Sequence, residues 1–506
     1  MSKKFRILAT SDVHGYILPI NDNDKTEGDF GLAKIKTIFD QYRDANTIFI
    51  DNGDLIQGSP LTYYFNTYHP LEISPITNIV KELKYDYFNL GNHDFNFGIT
   101  KLNNHLNNCG GKIITNNIKI DDQKLSELYH THLFANGVKI AIFGIVTHFI
   151  DKWESKETLK HLSIEDSFKQ AKSAVEAIKK YEKVDAIVGV YHGGFEKDLI
   201  TGQPTERQSG ENIAYKICNE LELDILITGH QHRSLKGECC GVVISQTAHK
   251  AQEVAKIEFD VIKKVGEVEL IKPTLEANAD IVKQIQNLNK EYQSWLDKPL
   301  GHSELSLKVT DRFQARLHKH PVISFINQVQ LAKTQADFSS AALFNDAIGF
   351  NCDITIRDIV ATYVYTNTLC VLRLTGHVLK EYLEKCAEYF SLEQDEIVVN
   401  NRFIYPKPQH YNYDMLDGLE YIIDVSKPLG DRIVSMTKDD KPLDLDKYYT
   451  IAVSNYRAGG SGGFEMLDRA ELVLDIQEEM VEILIDYIIK NPELKVKHRE
   501  NIKIIK

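Results

Sequence analysis

Acidic and histidine side chains recur in this sequence at points where apolar segments end. The stretch ATSDVHGY places Asp12 and His14 directly after the apolar residues of FRILA. In an extended segment, residues two apart point to the same side, so this carboxylate and this imidazole can converge on one point. Both groups are ligands for divalent transition metals. One such pair alone indicates little, but repeated pairs in the same context would indicate a metal site.

The same pattern occurs at four further points in the first half of the chain. Each time an apolar stretch predicts a buried strand, and a turn that contains glycine and Asp, Asn or His follows it. The polar residues of the turns DNGD, LGNHD, YHGG and TGHQH are Asp54, Asn92, His93, His192, His230 and His232. A single polar residue after a strand usually satisfies only the local backbone. Several turns of one kind favour a shared site.

This set of donors suits two divalent metal ions about 3.5–4 Å apart. The predicted ligand sets have Asp54 in common as the bridge, and they are Asp12, His14, Asp54 and His232 for one ion and Asp54, Asn92, His192 and His230 for the other. Imidazole and carboxylate groups without thiolate favour manganese, with zinc, iron or cobalt as alternatives. A hydroxide held between two such ions is a strong nucleophile at neutral pH.

His93 lies next to a predicted ligand and is not needed as one. Its imidazole can protonate a leaving oxygen or stabilise charge on a transferring phosphoryl group. Its neighbour Asp94 is either a turn residue only or a support for the ligands.

The length of 506 residues exceeds that of one ordinary core, so several domains are expected. Short strand patterns alternate with amphipathic helix patterns in the first half, which is typical of an α/β layered domain. A long polar, helix-like stretch follows, and the rest of the chain mixes helix and strand patterns. We therefore expect one domain over residues 1–265, a linker helix over 266–300 and a second domain over 301–506.

The amino-acid composition argues against several classes of protein. Apolar residues make up 43% and charged residues 26% of the chain, as in a soluble globular protein. The formal net charge of -13 argues against a stable complex with nucleic acid. We find no apolar stretch near the ~20 residues that span a bilayer and no secretory signal pattern. The seven cysteines include no CxxC pair and fit reduced thiols, so we expect a cytoplasmic protein without a membrane partner.

The motifs D-x-H, G-D, G-N-H-D, H-G and G-H-x-H together resemble those of the calcineurin-like metallophosphoesterases, over roughly residues 5–260. The later segments ALFNDAIGF, YVYTNTLCVLRLTGHVLKEYLE and AVSNYRAGGSGGFEML resemble the substrate domain of the 5′-nucleotidase family. The resemblance implies a β-sandwich flanked by helices, then a linker helix and an α+β domain that binds a nucleotide. It also implies that two aromatic rings of this second domain enclose the base.

Three segments are most similar to the 2′,3′-cyclic-nucleotide 2′-phosphodiesterase/3′-nucleotidase branch of that family, namely DNGDLIQGSPL, YNYDMLDGLEYIIDVSKP and SNYRAGG. This likeness implies that Tyr411 and Tyr456 are the pair that stacks on the base and that Asn345 also binds substrate. Stacking on aromatic rings tolerates many bases. The sequence departs from typical 5′-nucleotidases at Asn96, where those enzymes support the catalytic histidine with an aspartate. It also lacks their arginine cluster for phosphate, which leaves Arg457 as a candidate.

The function that these observations predict is a dimetal-dependent nucleotide phosphohydrolase, acting on 2′,3′-cyclic nucleotides and 3′-nucleotides, in which Asn96 orients the catalytic His93. A 5′-nucleotidase or a nucleotide-sugar hydrolase on the same scaffold is the first alternative. A non-catalytic nucleotide-binding protein is an alternative of another class. The predicted ligand positions all hold residues that can bind a metal, which disfavours that last reading.

Overall fold

Two six-stranded sheets form the first of two units, Met1–Tyr292, in the computed structural model of the chain, which describes residues 3–70, 72–205, 208, 210–365 and 367–506. The strands of sheet 1, in spatial order, are Val265–Ile271, Val254–Asp260, Lys4–Thr10, Thr47–Asp51, Tyr87–Phe88 and Lys112–Ile113. Those of sheet 2 are Leu235–Cys239, Val242–Gln246, Ile225–Thr228, Ala186–His192, Lys139–Val146 and His130–Leu133. A small third sheet contains Gln123–Lys124, Ile118–Ile120 and Leu162–Ile164.

The inner faces of sheets 1 and 2 pack together in one apolar core. Ile7 and Ile50 of sheet 1 and Ile142 and Val190 of sheet 2 are buried there. Helices cover the outer faces, which explains why the central strands are apolar on both sides. The helices of this unit are Leu32–Tyr42, Pro60–Tyr68, Pro75–Leu83, Gly98–Asn108, Ile150–Trp153, Lys156–Leu159, Ser167–Tyr181 and Ala214–Glu220. The predicted sandwich flanked by helices is confirmed.

The central strands of each sheet run parallel, and this direction places the site. In sheet 1, Lys4–Thr10 pairs in parallel with Thr47–Asp51, and in sheet 2, Ala186–His192 pairs in parallel with Ile225–Thr228. Each of these four strands ends immediately before one of the polar turns described above. In α/β proteins, ligands bind outside the carboxyl ends of parallel strands. The turns therefore meet at one edge of the sandwich.

The predicted linker helix differs from the structure at its start. The helix covers Ala279–Leu296, whereas Val265–Ile271 is the edge strand of sheet 1, paired with Val254–Asp260. Val268 and Leu270 in this strand pack against the sandwich core. Their alternation with glutamates is the pattern of a half-buried strand, which the polar composition of the segment obscured.

The second unit, Gln293–Lys506, is built around a five-stranded sheet. Its strands, in spatial order, are Asp414–Asp417, Phe338–Ala342, Tyr448–Ser454, Thr368–Thr375 and Glu471–Glu479. A four-stranded sheet contains Lys441–Pro442, Ile433–Lys438, Glu420–Asp424 and Ile502–Ile505. Smaller sheets pair Asp353–Thr355, Pro299–Ser303 and Glu493–Leu494, then Leu307–Lys308 with Gly349–Phe350, and Phe390–Glu393 with Glu396–Val399.

Helices and short 3-10 turns complete the second unit, which has the expected α+β character. The helices are Arg312–Leu317, Pro321–Thr334, Ile356–Thr362, Gly376–Ala387, Asn455–Ala458, Glu465–Asp468 and Met480–Lys490. The 3-10 turns of this unit are Asn401–Phe403 and His410–Asn412. Within the described ranges of the whole chain, no helix is both long enough and apolar enough to span a bilayer.

Candidate metal centre

The polar turns bring the predicted ligands of the first unit together in two groups. Within each group, one ligand atom from every residue lies within 4.8 Å of the others, and the groups are Asp12, His14 and His232, then Asp54, His192 and His230. Asn92 joins the second group, because its side-chain oxygen lies 2.9 Å from Nδ1 of His230. The structure thus brings together the residues of each predicted set, with Asp54 grouped with the second, and their role as metal ligands stays a prediction.

Asp54 lies between the two groups. Its Oδ2 is 3.1 Å from Nε2 of His192 in one group and 4.0 Å from Nε2 of His14 in the other. Its Oδ1 accepts a hydrogen bond of 2.7 Å from the backbone N–H of His93, which holds the carboxylate in place. One oxygen is therefore free to bridge two cations.

Hydrogen bonds at the far side of three histidines decide which ring nitrogen faces the site. Nδ1 of His14 lies 2.9 Å from the carbonyl oxygen of Gln57, and Nδ1 of His192 lies 2.6 Å from that of Asn52. Nε2 of His230 lies 2.9 Å from the carboxylate of Glu211. Because carbonyls and carboxylates only accept, these nitrogens carry the proton. The opposite nitrogen of each neutral ring then offers a lone pair, as in metal-bound histidines.

The Nε2 atoms of His14, His192 and His232 lie against one another or against the carboxylates of Asp12 and Asp54. Nε2 of His14 and Nε2 of His232 lie 3.1 Å apart, and Nε2 of His192 is buried without a hydrogen bond of acceptable geometry in the described part of the chain. Buried polar atoms without a partner cost roughly 1–3 kcal/mol each. A divalent cation within each group would satisfy these lone pairs and the carboxylates together, so the residues fit a pair of metal ions.

The charges of the site favour cations. Burial opposes ionisation of Asp12 and Asp54, yet the neighbouring histidines hold the pKa of both carboxyl groups well below the usual range. Burial alone would lower the pKa of His192, but Asp54 raises it to about 10 in the metal-free protein. A metal that binds His192 must therefore displace a proton.

The backbone of the ligand turns is unusual. Five of the predicted ligands have left-handed φ values, which are 57° for Asp12, 52° for His14, 53° for Asp54, 67° for His230 and 55° for His232. Such conformations cost of order 1–3 kcal/mol each and persist only where the surroundings enforce them. Here they aim the side chains of successive turns at one point.

Asp94 enforces the conformation of the turn that carries Asp54. Its buried carboxylate accepts four backbone hydrogen bonds, from Asp54, Leu55, Ile56 and Gly91, at 2.8–3.1 Å. The sequence left the role of Asp94 open, and the structure shows it as the support of this turn.

Two glycines allow the DNGD and LGNHD turns to approach each other. A Cβ atom on Gly91 would lie 2.2 Å from Oδ1 of Asp54, and one on Gly53 would lie 2.1 Å from the backbone nitrogen of Gly91. Both distances are shorter than any real contact allows. These glycines are therefore required for the position of Asp54.

His93 and Asn96 lie beside the ligands as a hydrogen-bonded pair. Nδ1 of His93 is 2.8 Å from the side-chain oxygen of Asn96, as expected for an orienting residue. The ring of His93 is partly exposed, and its centroid lies 5.5 Å from that of His14. The structure thus places His93 next to the predicted metal ligands and outside both groups of ligand atoms.

Two of the predicted substrate residues, Tyr411 and Tyr456, lie next to one buried ion pair. Arg457 forms a bidentate bond with Asp414 and also donates to the backbone carbonyl of Tyr411, at 3.1 Å. Tyr456 immediately precedes Arg457 in the helix Asn455–Ala458, so this guanidinium holds both tyrosine segments together. Arg457 is only 4% exposed. The prediction that Arg457 contacts phosphate is wrong, because its guanidinium already donates hydrogen bonds to other groups of the second unit.

Asn345 forms hydrogen bonds with the segment that precedes Tyr411. Its amide nitrogen donates to the carbonyl of Pro408 at 2.9 Å, and its oxygen accepts from the backbone N–H of His410 at 3.1 Å. It thereby supports the segment that leads into Tyr411. The rings of Tyr411 and Tyr456 are partly exposed, and the role of all three residues in binding substrate stays a prediction.

Sequence reasoning missed Glu211, which supports His230, and Trp153, whose ring stacks on His230 at a centroid distance of 5.5 Å. Glu211 lies just before a helix and Trp153 ends a short one, so neither follows a strand in the way the ligands do. Only the three-dimensional arrangement identifies them.

Comparisons with known proteins agree with this geometry. The family model of the calcineurin-like phosphoesterases matches residues 5–234, and that of the 5′-nucleotidase C-terminal domain matches residues 299–469. A solved structure of a Staphylococcus aureus protein assigned as a 5′-nucleotidase, in complex with alpha-ketoglutarate, is 33% identical with a TM-score of 0.93. It covers 99% of this chain and 100% of its own.

Two curated relatives are more distant. The trifunctional nucleotide phosphoesterase protein YfkN of Bacillus subtilis is 26% identical over an alignment that covers 98% of this chain but only 38% of that protein. The chain therefore spans well under half of this relative. The 2′,3′-cyclic-nucleotide 2′-phosphodiesterase/3′-nucleotidase of Haemophilus influenzae is 24% identical, with 96% of this chain and 84% of that protein covered.

The paired ligand groups and the family matches define a metal-dependent phosphoric ester hydrolase with a divalent dimetal centre. More narrowly, the chain belongs to the 5′-nucleotidase family of calcineurin-like phosphoesterases.

The support of Asp54 by Asp94 can be tested by Asp94→Asn. The new amide would turn N–H groups toward backbone N–H groups and lose about half of the bonds that the carboxylate accepts. We expect metal content and kcat/KM to fall about 10–100-fold, the usual effect of losing a residue that supports metal ligands. Metal analysis and kinetics check this. Asp40→Asn, at an exposed aspartate of the same unit, is the control. Normal metal content and activity in Asp94→Asn would contradict the assigned role.

Proposed function

We propose that this chain is a dimetal-dependent nucleotide phosphohydrolase that acts on 2′,3′-cyclic nucleotides and 3′-nucleotides. The observation that carries the dimetal proposal is the position of Oδ2 of Asp54 between two groups of ligand atoms. The substrate class is supported by the name of the Haemophilus influenzae relative and by the asparagine at position 96. The ligands of the two ions would be the predicted sets, which are Asp12, His14, Asp54 and His232, and Asp54, Asn92, His192 and His230.

In the proposed reaction, the metal ions, His93 and Asn96 have separate roles. When bound, the metal ions supply Lewis-acid activation of the phosphoester and of the attacking water. His93 carries its Nδ1 proton toward Asn96, so Nε2 is the nitrogen that can serve the substrate. As the imidazolium, it would hand a proton to the leaving oxygen. Asn96 keeps the ring in this orientation.

The identity of the metal is part of the proposal. The donor set of histidines, aspartates and one asparagine, with no thiolate among the described ligand atoms, favours manganese, and zinc, iron or cobalt are the alternatives. The proposed partner is a small-molecule nucleotide. The cytoplasmic location expected from the sequence stays a prediction, as do the expected domain boundaries apart from the start of the linker helix.

A 5′-nucleotidase or nucleotide-sugar hydrolase is the second candidate, because the 33% identical Staphylococcus aureus protein carries the first of these assignments. A non-catalytic nucleotide-binding protein is disfavoured, because such proteins need not keep two complete ligand groups around a shared carboxylate.

A hydrolysis panel distinguishes these candidates. The purified chain is assayed with manganese, zinc or magnesium on 2′,3′-cyclic AMP, 3′-AMP, 5′-AMP and a nucleotide sugar. We expect the highest kcat/KM on the first two substrates with manganese. A preference for 5′-AMP or the nucleotide sugar would favour the second candidate, and no hydrolysis with any metal would contradict the enzymatic proposal.

The role of His93 is tested by His93→Ala. Both ligand groups remain intact, so we expect normal metal content. We expect kcat on 3′-AMP to fall by roughly 10²–10⁴, the range for a positioned acid or base. p-Nitrophenyl phosphate needs little help with its leaving group and should lose much less. Equal losses on both esters would argue against the proton donor.

The base-binding role of Tyr411 and Tyr456 is tested by replacing each with alanine. Loss of a stacking surface worth about 1–3 kcal/mol should lower kcat/KM for nucleotides about 10–100-fold. Hydrolysis of p-nitrophenyl phosphate should barely change. Tyr448→Ala, at a tyrosine that is 57% exposed in the same unit, is the control. Unchanged nucleotide kinetics, or equal losses on both substrates, would remove these rings from the proposed base site.

A further inference from the structure

The side chain of Glu154 is connected to His93 through Asn96. Glu154 follows the short helix Ile150–Trp153, and Asn96 follows the 3-10 turn His93–Phe95. The amide nitrogen of Asn96 donates to Oε1 of Glu154, while the amide oxygen of Asn96 lies 2.8 Å from Nδ1 of His93. The three side chains form a single hydrogen-bonded chain.

The chemistry of the last member determines the orientation of the others. An ionised carboxylate only accepts hydrogen bonds, so Glu154 requires the NH₂ group of Asn96 on its side. The carbonyl oxygen of Asn96 must then face His93, and this oxygen also only accepts. Nδ1 of His93 therefore carries a proton, and Nε2 is left for the substrate.

Replacing the carboxylate of Glu154 would remove the acceptor that requires this orientation. The oxygen and nitrogen of an asparagine amide have nearly the same shape, so the group can turn by half a rotation with little steric cost. In the turned state the amide would donate to Nδ1 of His93. The ring proton would then lie on Nε2 of a neutral ring, which could no longer accept a proton there.

The surroundings of Glu154 fix its position. The side chain is partly buried, and it receives further hydrogen bonds from the backbone of Ser155 and from the side chain of Thr158. Burial raises the pKa of Glu154, while the bond from Asn96 and the proximity of His93 favour the charged form.

We propose that Glu154 is a positioning residue, which sets the tautomer and orientation of His93 through Asn96 in place of a direct aspartate. This inference rests on the proposed role of His93 as the group that protonates the leaving oxygen. It adds that the negative charge acting on this histidine comes from Glu154, in a segment that follows a strand of sheet 2. His93 itself follows a strand of sheet 1.

Glu154→Gln tests the proposal, because it keeps the size of the side chain but can donate as well as accept. We expect kcat on 3′-AMP to fall about 10-fold, with KM and metal content unchanged. The loss on p-nitrophenyl phosphate should be less than about threefold, because His93 matters little for that ester. Glu157→Gln, at an exposed glutamate three residues later, is the matched control and should match the unmodified chain.

Exchanging the amide of Asn96 and the carboxylate of Glu154 gives a more specific test. Asn96→Asp alone places two carboxylates in contact and should lower kcat on 3′-AMP. The double variant Asn96→Asp with Glu154→Gln restores one carboxylate and one amide, now with the carboxylate on His93, and should recover kcat to within about threefold of the unmodified chain. Because the pair is complete again, this variant remains informative even if Glu154→Gln folds poorly.

Three results would overturn the inference: unchanged kcat in Glu154→Gln, equal losses on 3′-AMP and p-nitrophenyl phosphate, or no recovery in the double variant. The proposed function is judged separately by His93→Ala. If that variant shows the selective loss on 3′-AMP and Glu154→Gln does not, only the role of Glu154 fails. If His93→Ala shows no selectivity, the proton-donor role itself fails.

Discussion

The position of the Asp54 carboxylate between two groups of predicted metal ligands is the constraint on which the proposed site depends. An oxygen that serves two cations must lie between two ligand groups, and here it is 3.1 Å from His192 and 4.0 Å from His14. That position requires a left-handed turn, a glycine at position 91 and the four backbone hydrogen bonds to Asp94. The left-handed turn is thus held by the buried carboxylate of Asp94.

Hydrogen bonds at four histidines of the site place a ring proton on the nitrogen that faces away from the predicted metal ions or substrate. Backbone carbonyls do this for His14 and His192, and Glu211 does it for His230. Asn96 does the same for His93, and Glu154 in turn orients Asn96. Fixed ring orientations mean that these side chains need not turn before they bind a metal or transfer a proton, which is how preorganised sites lower reaction barriers.

Local sequence pattern was sufficient for most strands of the first unit and for the turns that carry the predicted ligands, because a strand followed by a glycine-containing polar turn is encoded in adjacent residues. It was insufficient wherever the partner is distant in the chain. Asp94 accepts from residues about 40 positions away, and Arg457 pairs with Asp414 across 43 positions. The strand Val265–Ile271 was hidden by its glutamates, since an edge strand with one solvated face is largely polar.

The central claim is that Asp54 bridges two metal ions. Crystals of the chain grown with manganese, measured by anomalous diffraction at the manganese edge, test it directly. The account predicts two peaks about 3.5–4 Å apart, both in contact with Asp54. One should also contact Asp12, His14 and His232, and the other Asn92, His192 and His230. A single peak, or two peaks of which only one touches Asp54, would contradict it.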